Sequence, residues 1–173
     1  MRRILLAIAI LFFFSCSPKE PGIVESENLF DLKGFFEKEA ARLEKLNLTV
    51  NKTVSIDGVE ENKKIKIQDF AKELNSFISS DINKASWRGA FNINKTENLL
   101  QYTTTNEKIP VKELIIQFEN EEVKSIRIIN EVKNILYHSS DTLTYFPDSL
   151  YEIRKTQKIK LIKEKNFRIT GRF

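Results

Sequence analysis

Few residues in this 173-residue chain are of the types that do chemistry, and their scarcity excludes more than it suggests. There is one cysteine, Cys16, and one histidine, His138. A disulfide needs two thiols and a structural zinc site of the Cys/His type about four such ligands, so neither forms within a single chain. His138 sits in His138-Ser139-Ser140-Asp141, which holds every residue type of a hydrolytic triad. A triad places a base beside the nucleophile and a carboxylate behind the base, a geometry that four consecutive residues rarely supply. Ser and Asp favour turns, so the stretch reads as a turn or bend between strands, with a hydrolase using His138 as the alternative. Glu119, Glu121 and Glu122 flank Asn120 and read as a solvated hairpin loop rather than a pair of catalytic carboxylates.

Nothing points to a cofactor. The sequence has no G-x-G-x-x-G, no G-x-x-x-x-G-K-[ST], no H-E-x-x-H and no G-x-S-x-G, and five scattered glycines do not build a phosphate-binding loop. Two surface candidates remain. Trp87-Arg88-Gly89 puts the single Trp beside a cation, suited to stacking on a ring or anchoring a partner, or else to closing one end of a core. The last 25 residues hold eight basic side chains against Glu152 and Glu164, and Lys158, Lys160 and Lys163 fall among them. On a strand Lys158 and Lys160 share one face and Ile159 and Leu161 the other, so the lysines form a row opposite a buried apolar row. Such a row either protects an edge strand from pairing with other chains or binds anionic head groups. The net charge of +4 is too small to imply nucleic acid.

The first residues read as an address rather than as part of the fold. Arg2 and Arg3 precede an uninterrupted apolar run from Ile4 to Phe14, the size of a signal-peptide core and well short of the roughly 20 apolar residues that span a bilayer. Phe13-Phe14-Ser15-Cys16 resembles a lipobox, with Phe13 standing where Leu is more usual. The resemblance implies cleavage after Ser15 and a mature chain that begins at a diacylglycerol-modified, N-acylated Cys16. Such a chain is anchored stably at a membrane, with about 0.8 kcal/mol for each buried methylene. Ser17 resembles the outer-membrane pattern of enteric lipoproteins. Residues 1–15 are therefore expected to be a lipoprotein signal, 16–26 a lipidated tether rich in Pro and Gly, and 27–173 a single domain.

The domain must bury its apolar residues, which make up 41% of the chain and include thirteen Phe. Asn28 is placed to cap a helix over 29–46, where Leu29, Leu32, Phe36, Ala40, Leu43 and Leu46 follow three- and four-residue spacing. Leu48, Val50, Val54 and Ile56 alternate, and Asp57-Gly58 marks a hairpin. Phe70, Leu74, Phe77 and Ile78 return to helical spacing and predict a second helix over 68–80. Strands are expected over 87–93, 97–105, 111–119, 122–133, 135–146, 150–162 and 166–172. The expected class is α+β, with two N-terminal amphipathic helices packed on the concave side of a curved antiparallel β-sheet meander. A closed lipocalin-like barrel is the alternative.

Asp81-Ile82-Asn83-Lys84, Asn134-Ile135-Leu136-Tyr137 with Leu143-x-Tyr145, Tyr151-x-Ile153 with Gln157-Lys158, and Ile169-x-Gly171-x-Phe173 resemble small uncharacterised lipoproteins of Bacteroidetes-type bacteria. That resemblance implies the cell envelope and no particular activity. The expected function is a non-enzymatic, membrane-anchored binding or scaffold domain for an apolar ligand or an envelope protein. An accessory subunit of an envelope complex is a further alternative.

Overall fold

The computed structural model describes residues 29–173, so the signal, Cys16, the tether and the proposed Asn28 cap lie outside the described residues. Helix α1 runs over Leu32–Leu46 and is capped by Asp31, whose Oδ1 accepts from the Gly34 amide at 2.9 Å. Asn47 ends it in a left-handed conformation, φ 47°, donating its amide to Glu44 O. Both ends thereby gain partners for backbone groups that a helix leaves unpaired. Leu32, Phe36, Ala40 and Leu43 recur at helical spacing and are buried. Strands β1 (Thr49–Ile56) and β2 (Val59–Lys66) then meet at Asp57-Gly58, where φ is positive at both residues, 51° and 89°, as a tight two-residue hairpin turn requires.

The second long helix does not form. Residues 70–78 make two single turns, α2 (Phe70–Glu73) and α3 (Asn75–Ile78), interrupted at Leu74. Phe77 donates to Leu74 O, three residues back, and the Ser79 and Ser80 hydroxyls turn onto Asn75 O and Ser76 O. Asn and Ser compete in this way with helical hydrogen bonding. Phe70, Leu74 and Phe77 are all buried nonetheless. The spacing of apolar residues reports which side faces the core, and carries no information about backbone continuity.

Seven strands complete the chain: β3 (Asn92–Lys95), β4 (Leu99–Thr103), β5 (Val111–Glu119), β6 (Glu122–Lys133), β7 (Tyr137–Phe146), β8 (Leu150–Ile159) and β9 (Lys165–Arg172). All nine strands form one antiparallel sheet in the order β2-β1-β9-β8-β7-β6-β5-β4-β3. Among the described residues the architecture is therefore one large sheet with one sizeable helix, which corrects the expectation of two helices packed on a meander. Strands β3 to β9 do form a meander, but the first hairpin joins it, with β1 beside β9. Val54 pairs with Ile169 there, a contact no local pattern announces. Edge strands β2 and β3 do not pair with each other, so no barrel closes.

Two shorter stretches also differ. The strand expected over 87–93 begins only at Asn92, because Ala85–Trp87 is a 3-10 turn and Gly89, φ 70°, redirects the chain. His138 to Asp141 is not a turn but part of β7, paired with Lys133 to Asn130 on one side and Lys158 to Lys155 on the other. Ladder bonds to two neighbours override the turn preference of Ser and Asp.

Registers across the sheet resolve the helix-side face into rows. One row reads Leu100, Ile116, Ile126, Tyr145, Tyr151, Gly171, and the next reads Tyr102, Leu114, Ile128, Leu143, Ile153, Ile169, Val54. The helical segments cover these rows: Phe36 meets Tyr145 at 5.1 Å between ring centroids, Phe77 meets it at 6.1 Å, and Phe173 stands 6.3 Å from Phe70. Tyr145 and Tyr151 are fully buried, yet each hydroxyl finds a carboxylate on a helix. Tyr145 donates to Glu39 at 2.6 Å, and Tyr151 donates to Glu73. Arg42 and Lys52 share those carboxylates, at 2.9 Å and 2.6 Å, Lys52 on the same Glu73 oxygen that accepts from Tyr151. Burial, reinforced by the carboxylates, pushes both phenols well above the ordinary tyrosine pKa.

Candidate functional site

Beyond the covered rows, β6 to β9 continue past the helices. The next row reads Val111, Asn130, Asp141, Lys155, Phe167, Ile56, Val59, followed by Val132, Ser139, Gln157, Lys165 and then Tyr137, Ile159. Its composition changes from aliphatic to mixed. Asp141 accepts from the Ser139 hydroxyl at 2.8 Å and lies 3.4 Å from the Lys155 ammonium, while Gln157 donates to the Tyr137 hydroxyl at 3.0 Å. Asn130 donates to Ser80 at 2.9 Å, and its Oδ1 is buried without a hydrogen-bond partner. Around this polar centre Ile56, Val59, Val132 and Ile159 are exposed on the same face. Half of one sheet face is thus capped by helices, and the other half presents aliphatic side chains around a polar strip.

The triad residues are divided between the two faces. Ser139 and Asp141 point to the helix side, and His138 points to the opposite side, where its Nε2 stands 2.9 Å from Glu131. Strand alternation separates base from nucleophile, so the motif does not assemble. An open hollow of about 760 Å³ is lined by Glu131 together with Thr104, Thr105, Glu107, Lys112, Lys133, Asn134 and Ile135, and His138 does not line it. Among the described residues no three His, Cys, Asp or Glu side chains gather to hold a metal ion.

Trp87 packs partly buried against the core, 6.5 Å from Phe91, with the Lys84 ammonium 4.2 Å above its ring, while Arg88 is exposed beside it. Lys158, Lys160 and Lys163 are exposed, but not as sequence alternation implies. β8 lies between β7 and β9 inside the sheet, so edge protection has no edge to protect. Ile159 and Leu161, the expected buried row, are 40% and 98% exposed. The aliphatic pairs Ile135-Leu136 and Leu161-Ile162, expected inside the strands over 135–146 and 150–162, fall instead in turns, since β7 begins at Tyr137 and β8 ends at Ile159. Two large apolar residues in succession at a turn break the period-two pattern, and that is the signal that marks them.

No family model, curated protein or solved structure matches the chain. No helix among the described residues is long and apolar enough to cross a membrane.

Proposed function

We propose that the chain is a bacterial envelope lipoprotein, held at the membrane through acylated Cys16, whose domain is a non-enzymatic binding or scaffold module. The observation that carries the binding half of this reading is the uncovered half-face, where Ile56, Val59, Val132 and Ile159 stay exposed around the Asp141–Lys155 strip. Several large aliphatic side chains left exposed on one face mark an interaction surface. An open half-face suits an extended partner, such as a protein surface, better than a small apolar ligand, which binds in an enclosing cleft. The anchor half rests on the lipobox-like Phe13-Phe14-Ser15-Cys16 and on the resemblance to small Bacteroidetes-type lipoproteins.

The test has two arms. Metabolic labelling with an alkyne fatty acid should mark the wild-type chain and not Cys16→Ala, and labelling of both would remove the anchor. A photo-crosslinking phenylalanine at Ile159 should give a discrete adduct identified by mass spectrometry, whereas the same probe at Ser140, exposed on the opposite face, should not. Equal adducts from both positions, or none from Ile159, would remove the half-face as the binding surface.

A further inference from the structure

Two hairpin turns at one end of the sheet carry their apolar residues outward. Between β6 and β7, Ile135 and Leu136 are 90% and 63% exposed, and between β8 and β9, Leu161 and Ile162 are 98% and 56% exposed. The turns are neighbours, since the Lys160 amide donates to Leu136 O at 2.9 Å. A single exposed aliphatic needs no explanation, but four on adjacent turns form a patch.

Leu161 adds an independent observation. Its φ of 70° lies in the left-handed region, where glycine and asparagine are favoured. The other described non-glycine residues there are Asn47, Asp57, Asn120, Glu121 and Asp148, all polar. Leu161 therefore accepts backbone strain at a position where its side chain packs against almost nothing. Folding stability does not account for such a residue, and strain of this kind gathers at functional positions.

The surrounding charge specifies what the patch meets. Lys133, Lys158, Lys160, Lys163 and Lys165 are exposed beside the two turns; Glu164 is the one acid within them, and Glu107 and Glu131 line the hollow beside Ile135, so the cations outnumber the acids. We infer that the paired turns are a lipid-contact tip: Ile135, Leu136, Leu161 and Ile162 enter the interface of an anionic bilayer, and the lysines engage the phosphate-bearing head groups around them. An apolar apex inside a cationic collar follows the gradient from acyl chain to head group. Lysine stems lie along apolar surface while their ammonium groups stay in the polar layer. A protein hot spot sits instead at the centre of a broad patch, ringed by contacts that exclude water, and two protruding turns offer no such ring.

This inference goes beyond the proposed function and does not depend on the anchor. Residues 17–173 contain all described helices, strands and core residues and no cysteine, so the acyl-free chain reads the tip alone and fatty-acid labelling reads Cys16 alone. A cooperative melt verifies the fold of each variant. The wild-type chain should sediment with vesicles of phosphatidylethanolamine and phosphatidylglycerol, more weakly as salt rises. Affinity should fall at least about tenfold when Ile135, Leu136, Leu161 and Ile162 all become Ser, and similarly when Lys158, Lys160 and Lys163 become Gln. An environment-sensitive dye on Leu161→Cys should shift to the blue and be quenched by spin-labelled lipid. The same dye on Ser149→Cys, at the opposite end of the sheet, should not respond. Absence of vesicle binding, binding that needs the lysines but not the aliphatics, or equal dye responses at the two positions would overturn the inference.

Discussion

Replacing Gly171 with Ala places one methyl carbon against the Tyr151 ring, so the outcome measures how tightly the helix-covered face is packed. The added Cβ would stand 2.5 Å from the Tyr151 hydroxyl oxygen and closer still to Cε1 and Cζ. The ring has little room to yield. It is fully buried, its hydroxyl donates to Glu73, and Phe173 lies 6.0 Å away between centroids. Overpacking of this kind typically costs about 1–3 kcal/mol. Drawing the phenol from its carboxylate loses a charge-assisted hydrogen bond, about 1.5–3 kcal/mol. Against these, removing glycine's freedom in the unfolded chain returns about 0.4–1 kcal/mol. The expected net loss is about 2–5 kcal/mol, which for a domain of this length lowers Tm by roughly 6–20 °C. Urea unfolding followed by circular dichroism measures the loss, and calorimetry the Tm. In a Tyr151→Leu background the same methyl group meets a smaller, flexible side chain, and Gly171→Ala should then cost less than about 0.5 kcal/mol, a coupling readable in a double-mutant cycle. A loss below about 1 kcal/mol in the wild-type background, or an undiminished loss beside Tyr151→Leu, would refute the packing argument.

Tyr145 and Tyr151 keep their protons in the folded state above the pH at which an unfolded tyrosine ionises, so the unfolded chain binds fewer protons there and stability falls. The expected slope is a loss of about 1.4 kcal/mol per pH unit for each phenol above about pH 10. Urea midpoints for Tyr145→Phe and Tyr151→Phe should show a shallower fall, and a slope unchanged in the double variant would refute the assignment. Cys16→Ala should move the protein from the membrane to the soluble fraction without changing its melting curve, because the described helices and strands and their packed core are built from residues after Cys16. His138→Ala should change folding free energy by no more than about 0.5 kcal/mol, since the Glu131 pair is half-exposed; a larger loss in chemical denaturation would show that pair to be structural. Leu161→Asn should raise stability by roughly 1 kcal/mol through relief of the positive φ while weakening vesicle association. A stability loss would contradict the strain.

Strand positions from β5 to β9 were legible to within a few residues, because alternation such as Leu114, Ile116 and Phe118 is written locally and turns such as that at Asn120 punctuate it. The broken helix at Leu74 was not. Phe70, Leu74 and Phe77 are spaced to bury one side whether or not the backbone hydrogen bonds run on. The His138-Ser139-Ser140-Asp141 stretch misled for a related reason: turn preference is a local property, and two neighbouring strands outweigh it. Of the candidate site, the lysines were visible as a charge excess, but their meaning depended on where β8 lies in the sheet.

The sequence by itself determined much of the helix-side core, such as Leu32, Phe36, Phe70 and Phe77, turns such as Asp57-Gly58, and that a single cysteine makes no internal disulfide. These follow from residue type and from contacts between near neighbours along the chain. Only the tertiary structure decided that the first hairpin adds beside β9, making β8 an inner strand and leaving β2 and β3 as the edges. It alone set Ile135-Leu136 against Leu161-Ile162 at one end of the sheet, and His138 on the face opposite Ser139. Pairing across more than a hundred residues is chosen by the sum of backbone hydrogen bonds and buried area over the whole sheet, and no short window of sequence contains that sum.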